Sequence, residues 1–358
     1  MDSPDDVLLG LDIGTGSVKL ALLGTDGAPL ALEKRDHSLE TPHEGWAEVP
    51  IEEIWLNVVD ALRALLKNAP GLGKRVRGIG VSCLCPGLTP IDADGRALAN
   101  SVIYMDARSL EETEFIRSKI SDAELFKTTA NQLMPGATSL TSMLWFQRQR
   151  PGIHRRTAAY GHINTLVGRK LTGHFGIDYS NASYSGLFET GGSRAWSPYL
   201  VDLFGVDERK LPPTLPAWES VGPLANRDFI QAGLPVGIPV AMGGGDTACA
   251  AFAVGILEHN QVFESAGTSN VITVCSAKPV FDWRFMNRCH VVPDRWLYHG
   301  AMSSTGAAVK WLRDEVFQDG GDENFRKMAA AAAALPPEAN CPVFLPYMAG
   351  ERSPVWDP

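Results

Sequence analysis

Two aspartates stand beside turns built for close approach. Asp12 closes the apolar run Leu8 to Leu11 and is followed by Gly14-Thr15-Gly16-Ser17, while Asp246 follows Gly243-Gly244-Gly245 and opens the small-residue stretch TACAAFAVG. Backbone N–H groups around Gly14 to Ser17, with two hydroxyls, can form a concavity that takes an anion. A carboxylate beside a phosphate site makes electrostatic sense when a cation lies between them, and Mg²⁺ is the usual choice, held by one or two carboxylates plus phosphate oxygens. The plainer reading of Asp12 is a turn residue at a strand end. Asp246 also has two readings: a helix N-cap, or a carboxylate that takes a proton from a substrate hydroxyl, with the glycines letting backbone and ligand approach. The stretch GTGSVK fits neither the dinucleotide fingerprint nor the Walker loop, which excludes both common nucleotide motifs.

The flanking residues define the elements that must hold these groups. Strands are expected at 8–11, 18–23 and 29–36, an amphipathic helix over IEEIWLNVVDALRALLKN, and a strand at VRGIGVSC. The turn after Asp12 therefore joins two strands. The stretch FESAGTSNVITVCS, 263–276, repeats that strand, glycine turn and strand. After it come strands near 262–265, 271–275 and 296–300, a helix over GAAVKWLRDEVF, an alanine-rich helix stopped by Pro336 and Pro337, and a strand at PVFLPY. Two related domains, 1–253 and 254–358, would face each other across a cleft, each offering a phosphate turn.

Bulk properties narrow the class. The 358 residues are 45% hydrophobic and 20% charged, as in ordinary globular proteins, and the net charge of -9 argues against a nucleic-acid surface. An acidic start and the lack of a long apolar run point to a cytoplasmic chain with no membrane segment. Six scattered cysteines, with Cys83 and Cys85 the one close pair, indicate neither zinc nor disulfides, so buried free thiols are expected. A homodimer stays open.

Together, GLDIGTGSVKLAL, GWAEVPIEEIW, RGIGVSCLCPGLTPIDADGRALANSVIYMDAR, LVGRKLTGHFGIDYSNASYSGLFE, PVAMGGGDTACAAFAVG, ESAGTSNV, GAAVKWLRDE and FLPYMAGERSPVWDP resemble the FGGY carbohydrate kinases along essentially the whole chain. The resemblance implies an α/β fold of two ribonuclease H-like domains around a nucleotide cleft, as in the clan of actin, hexokinase and the heat-shock chaperone ATPases. It implies ATP and Mg²⁺ as cofactors and a small sugar or polyol, such as a pentulose, as substrate. On that pattern Asp12 holds Mg²⁺, and Gly14, Thr15, Gly16, Ser17 and Lys19 lie against the transferring phosphate. Asp246 is similar to the family's general base. Gly267, Thr268 and Ser269 match its second phosphate turn, and Gly306 a glycine beside the nucleotide. Cys85, Pro86, Tyr104, Asp106 and Thr247 fall in the substrate-contacting segments. Phosphoryl transfer asks for in-line positioning, charge neutralisation and one base, which this division supplies.

The sequence departs from the pattern at one place. Xylulokinases usually carry Gln-Met-His-Gly where this chain has Leu84-Cys85-Pro86-Gly87, which removes polar groups able to read hydroxyls and points to another ketose or polyol as the preferred substrate. Cys85 itself is either a ligand contact or a small core residue. The blocks around Trp46, Trp55 and IDYSNAS read as packing and turns. Two other functions stay in view, a kinase-like binder that no longer turns over and a chaperone-type ATPase. The element order also predicts that residues 1–358 leave the second domain incomplete, short of a helix, a strand and a helix. Weak ATP binding, low turnover and a tendency to aggregate would follow.

Overall fold

The computed structural model describes residues 5–267, 269–302, 304–317, 321–336, 339–347, 351 and 353–356. The first domain is built on the antiparallel strands β1 (Val7–Ile13), β2 (Ser17–Gly24) and β3 (Pro29–Asp36), followed by α1 (Ile51–Asn68) and β4 (Val76–Cys83). In β1 every second residue, from Val7 to Ile13, is buried, the period-two pattern of a strand with one face in the core. The buried residues of α1, among them Ile54, Val58, Leu62 and Leu65, recur at the three-to-four spacing that lays one helical stripe into the same core.

Farther along, α2 (Ile163–Thr172) and the single turn α3 (Tyr179–Ala182) precede β5 (Ser220–Pro223), β6 (Pro239–Ala241) and α4 (Asp246–Ala253). The sheet order is β5-β6-β4-β1-β2-β3, with β4 parallel to both β1 and β6. This order, with the meander followed by parallel strands on the far side of β1, is that of a ribonuclease H-like sheet. Sequence inspection places β1 to β4 and α1 within a residue or two. Between β4 and α2 the chain makes three strands of a second small sheet, Gly87–Ile91, Ser101–Ile103 and Ala159–Gly161, to which Glu48–Val49, just before α1, adds a fourth; its core carries Trp145, Phe146 and Tyr160.

The second domain repeats the hairpin with β7 (Val262–Ala266) and β8 (Asn270–Ser276), and adds β9 (Met286–Cys289) and β10 (Trp296–Met302) in the order β7-β8-β10-β9. Then come α5 (Thr305–Trp311), a π-helical turn Leu312–Val316 and α6 (Asp322–Ala333). The domains share packing: Ala248 and Ala251 of α4 bury against Cys275 and Leu297. Strand β9 is missed by sequence reading. The strand expected at PVFLPY is not one; residues 341–347 pair with no strand among the described residues, and Val343 is 86% exposed. A buried parallel strand needs a ladder partner and covered faces, and this apolar run has neither. Phe344 instead stacks on Trp311.

Candidate active site

Asp12 lies one residue before the end of β1, opposite Lys19 of β2 in the hairpin register. Its Oδ2 accepts from Lys19 Nζ at 3.1 Å and its Oδ1 from Ser82 Oγ at 2.9 Å, with the carboxylate side chain still about a third exposed (36%). The turn that follows corrects the sequence expectation in one respect. The Gly14 N–H is spent on Ser17 O, closing the hairpin at 3.0 Å, so it is not offered to an anion. Thr15 and Gly16 make no backbone hydrogen bond through their N–H groups among the described residues. A Cβ on Gly16 would meet no protein atom within 4 Å, so that glycine leaves open space on the turn. His37 backs the hairpin from behind, with Nε2 3.1 Å from Gly14 O.

Asp246 approaches the same space from the end of β6. The cap residue of α4 is Gly245, and Asp246 is the first helical residue, so the N-cap reading of Asp246 does not hold. Its Oδ1 takes the Thr247 N–H at 2.6 Å and the Thr247 hydroxyl at 3.2 Å, leaving Oδ2 without a protein partner among the described residues. Burial pushes its pKa above the ordinary carboxylate range; attraction to Arg288 and the Thr247 hydrogen bonds pull it back, and Asp12 pushes it up. Asp12, Ser82, Asp246, Thr247 and Cys249 line one open cavity of about 480 Å³, bordered on the second-domain side by Phe263, Ser265 and Val271.

The three glycines before Asp246 serve protein packing more than the close ligand approach read from the sequence. Gly243 has φ +69, and a Cβ there would fall 1.8 Å from Val81 O. Beside Gly244 stands Val291, and beside Gly245 the Arg288 guanidinium. Gly245 also donates its N–H to Ser180 Oγ at 3.0 Å, and Ser180 in turn donates to the fully buried Asp178, which also accepts from Asn164 and Asn181. IDYSNAS is thus both the turn expected of it and the support that fixes the backbone next to Asp246.

Other expected residues fall in varied places. Cys85 stands against Gly245, and Pro86 is buried beyond it. Asp106 is corrected: Oδ2 accepts from Ala47 N and Arg108 Nη2, and Oδ1 from Arg108 N and Nε, so its carboxylate is saturated as a loop clamp and has no acceptor left for a sugar. Tyr104 packs on the first-domain core. In the second hairpin Gly267 N–H closes on Ser269 O, and Gly306 donates its N–H to Gly267 O at 3.1 Å; Thr268 lies outside the described residues. Gly267 and Gly306, with Lys310, Trp311 and Asp314, line a second cavity of about 550 Å³. Cys83, Cys275 and Cys289 are buried and Cys341 is exposed; burial raises the Cys249 thiol to about 12, so it stays protonated and is no nucleophile.

The residue that sequence reading missed is Arg288, on β9. It is 4% exposed, its Nε donates to Tyr184 OH at 3.1 Å, and its guanidinium lies 4.5 Å from the Tyr184 ring centre. A lone arginine in FMNRCH carries no local signal of this placement.

The donor set suits Mg²⁺ presented on a nucleotide. Asp12 puts a hard oxygen donor on the cavity that Asp246 also lines, and no group of three or more His, Cys, Asp or Glu that could cage a metal exists among the described residues. Such a site draws its remaining ligands from phosphate oxygens and water. No helix among the described residues is long and apolar enough to cross a membrane.

Comparison with known proteins shows the family and the fold. The model of the FGGY family of carbohydrate kinases, N-terminal domain, matches residues 7–253, and that of its C-terminal domain matches 262–358. The chain is 28% identical to the xylulose kinase of Escherichia coli K12, over 98% of this chain and 70% of that protein, and 26% identical to the gluconokinase of Bacillus subtilis, over 98% and 69%. Among solved structures, xylulose kinase from Rhodospirillum rubrum superimposes with a TM-score of 0.91 at 28% identity, covering 98% of this chain and 71% of that one. Plasmodium falciparum glycerol kinase with ADP shares the fold at 20% identity and a TM-score of 0.82, covering 91% and 66%. With both halves of its cleft matched in order, the chain belongs to the FGGY family of carbohydrate kinases, enzymes that use ATP as phosphate donor.

Proposed function

We propose that this chain transfers the terminal phosphoryl group of ATP to a hydroxyl of a sugar, sugar acid or polyol, with Asp246 as general base. The observation that carries the reading is the meeting of Asp12 and Asp246, from opposite ends of the first domain, on one cavity. Asp246 Oδ1 is held by Thr247, so Oδ2 takes the substrate proton as the oxygen attacks phosphorus. Thr15 and Gly16 offer N–H groups, and Lys19 a cation, to the phosphate that moves. Asp12, with Ser82 orienting Oδ1, would hold Mg²⁺, which when bound neutralises charge building on the phosphates. Gly267 and Gly306, whose N–H groups are spent within and beside the second turn, would border the rest of the nucleotide by close approach, and Lys310 and Trp311 extend that wall. Cys85 and Thr247 border the acceptor. Homology to xylulose kinases and gluconokinases supports a carbon-chain polyhydroxy substrate.

The test is transfer of labelled γ-phosphate from ATP across a panel of ketoses, polyols and sugar acids, by the wild type and Asp246→Asn. Acceptor-dependent transfer is expected, lowered by roughly 10² to 10⁴ in the variant with acceptor binding retained. Equal rates in the two proteins would return Asp246 to a structural role. Absence of both acceptor binding and transfer would refute the kinase reading.

A further inference from the structure

Arg288 is a buried cation with no protein anion in contact. Its Nη1 makes no hydrogen bond, and it forms no ion pair within 4.0 Å among the described residues, although Asp246 attracts it through space. Burying a charge is costly unless a partner and hydrogen bonds compensate it. What holds Arg288 is uncharged: the Tyr184 hydroxyl, which accepts from Nε, and the Tyr184 ring.

Its position is also fixed with care. The residues on either side of it are tied across the domain boundary, Asn287 N–H to Asn131 Oδ1 at 2.9 Å and Cys289 N–H to Ser183 Oγ at 3.1 Å. The Asn287 side chain donates to Ala130 O, and Asn131 donates back to Asn287 O, both at 2.7 Å. The backbone that carries Arg288 is therefore tied to the first domain on both sides. Its Nη1 reaches within 2.6 Å of the point where a Cβ on residue 245 would stand, and Cys85 Cβ comes within 3.0 Å of the same point. A Cβ at 245 would therefore collide with Nη1, which packs against the residue directly before Asp246 and beside the Cys85 segment.

We infer that Arg288 is a specificity-determining residue that selects a sugar acid, its Nη1 donating to the carboxylate of the acceptor whose hydroxyl faces Asp246. The inference rests on the kinase reading above and deepens it. A carboxylate matches the guanidinium charge for charge, whereas a phosphorylated sugar would bring a second negative charge toward Asp246 with no cation to meet it. The unused donor and the missing counter-charge are then met by one ligand group.

Calorimetric titration of the full chain with matched pairs tests this: gluconate against glucitol, xylonate against xylitol, and glucose 6-phosphate as the doubly charged comparator. The sugar acids should bind about 10- to 100-fold tighter than their neutral partners, the range of a hydrogen bond to a charged group. In Arg288→Met that ratio should collapse toward one, and Arg288→Lys should restore part of it. The wild-type ratios decide the matter even if the methionine variant folds poorly. Neutral partners bound as well as the acids, with phosphate transfer to them, would overturn the inference and leave the kinase reading standing. Tighter binding of the sugar phosphate would overturn the carboxylate assignment. Neither binding nor transfer with any acceptor would fail the kinase reading itself.

Discussion

Gly243→Ala, set against Gly16→Ala, separates a glycine needed by the fold from one that faces open space. Gly243 sits at φ +69, where an L-residue with a Cβ costs roughly 1–2 kcal/mol. The new methyl would also stand 1.8 Å from Val81 O and 2.7 Å from Val81 C, both main-chain atoms of β4 that no rotamer change can move. Relief requires the turn to withdraw from β4 by roughly 1 Å, and overpacking of this kind costs a further ~1–3 kcal/mol. It also strains the hydrogen bond from Gly243 N–H to Ala217 O and the pairing of Gly244 and Gly245 with Ser82 and Cys83. We expect a loss of about 2–5 kcal/mol, a large share of the ~5–15 kcal/mol that holds an ordinary domain. Because Asp246 follows directly, a displacement of ~1 Å should also cost on the order of 10²-fold in turnover. At Gly16 the φ is not left-handed and a methyl meets nothing, so stability should stay within ~0.5 kcal/mol while nucleotide use suffers. Urea unfolding of both variants by circular dichroism, with kinetics on the folded protein, is the assay. If Gly243→Ala unfolds within 1 kcal/mol of wild type, the tight approach to β4 is not a constraint and the argument for how Asp246 is placed fails.

Two further outcomes follow from the site. Asp12→Ala should raise the Mg²⁺ concentration needed for half-maximal phosphate transfer while leaving acceptor affinity close to wild type, because the carboxylate is lost and the turn is kept; an unchanged metal requirement in a Mg²⁺ titration would make Asp12 an ordinary turn residue. The pH profile should show its acid limb above the ordinary carboxylate range, since burial raises Asp246 and the ionised form is the base, so rate falls as pH drops through that raised value; Arg288→Met should move the limb to still higher pH, and a limb unmoved in the variant would contradict the attraction between the two groups.

The first hairpin and α1 could be read from sequence because each carries its own period, alternating burial in β1 and a helical stripe in α1. The two aspartates could be found because glycine turns mark them. PVFLPY was misread for the opposite reason: a short apolar run states that its residues suit a buried strand, and says nothing of whether a neighbour pairs with it. Arg288, Asn131 and Ser180 were out of reach in a different way. Each is locally ordinary, and its role exists only where segments over a hundred residues apart in some cases, such as Asn131 and Asn287, meet. Asp106 shows the converse. Its segment matched a substrate-contacting pattern, yet the neighbouring Arg108 occupies the carboxylate.

The fastening of β9 to the first domain also turns the second sheet into a lever. β9 is one edge, held by the Asn131–Asn287 pair and by Cys289, which packs on Phe188 together with Trp296 of the neighbouring β10; β7 and the glycine turn that leads to β8 are at the opposite edge. With strands spaced about 4.8 Å apart, that far edge stands on an arm of roughly 14 Å, so a rotation of ~10° about the fastened strand would carry the Gly267 turn by ~2.5 Å and Arg288 hardly at all, while Cys275 and Leu297 slide over Ala248 and Ala251 of α4. The wall that carries Arg288 is thus the door frame and the wall that carries the Gly267 turn the door: on the proposed kinase reading, the acceptor would be gripped in a fixed seat while the nucleotide is admitted and released.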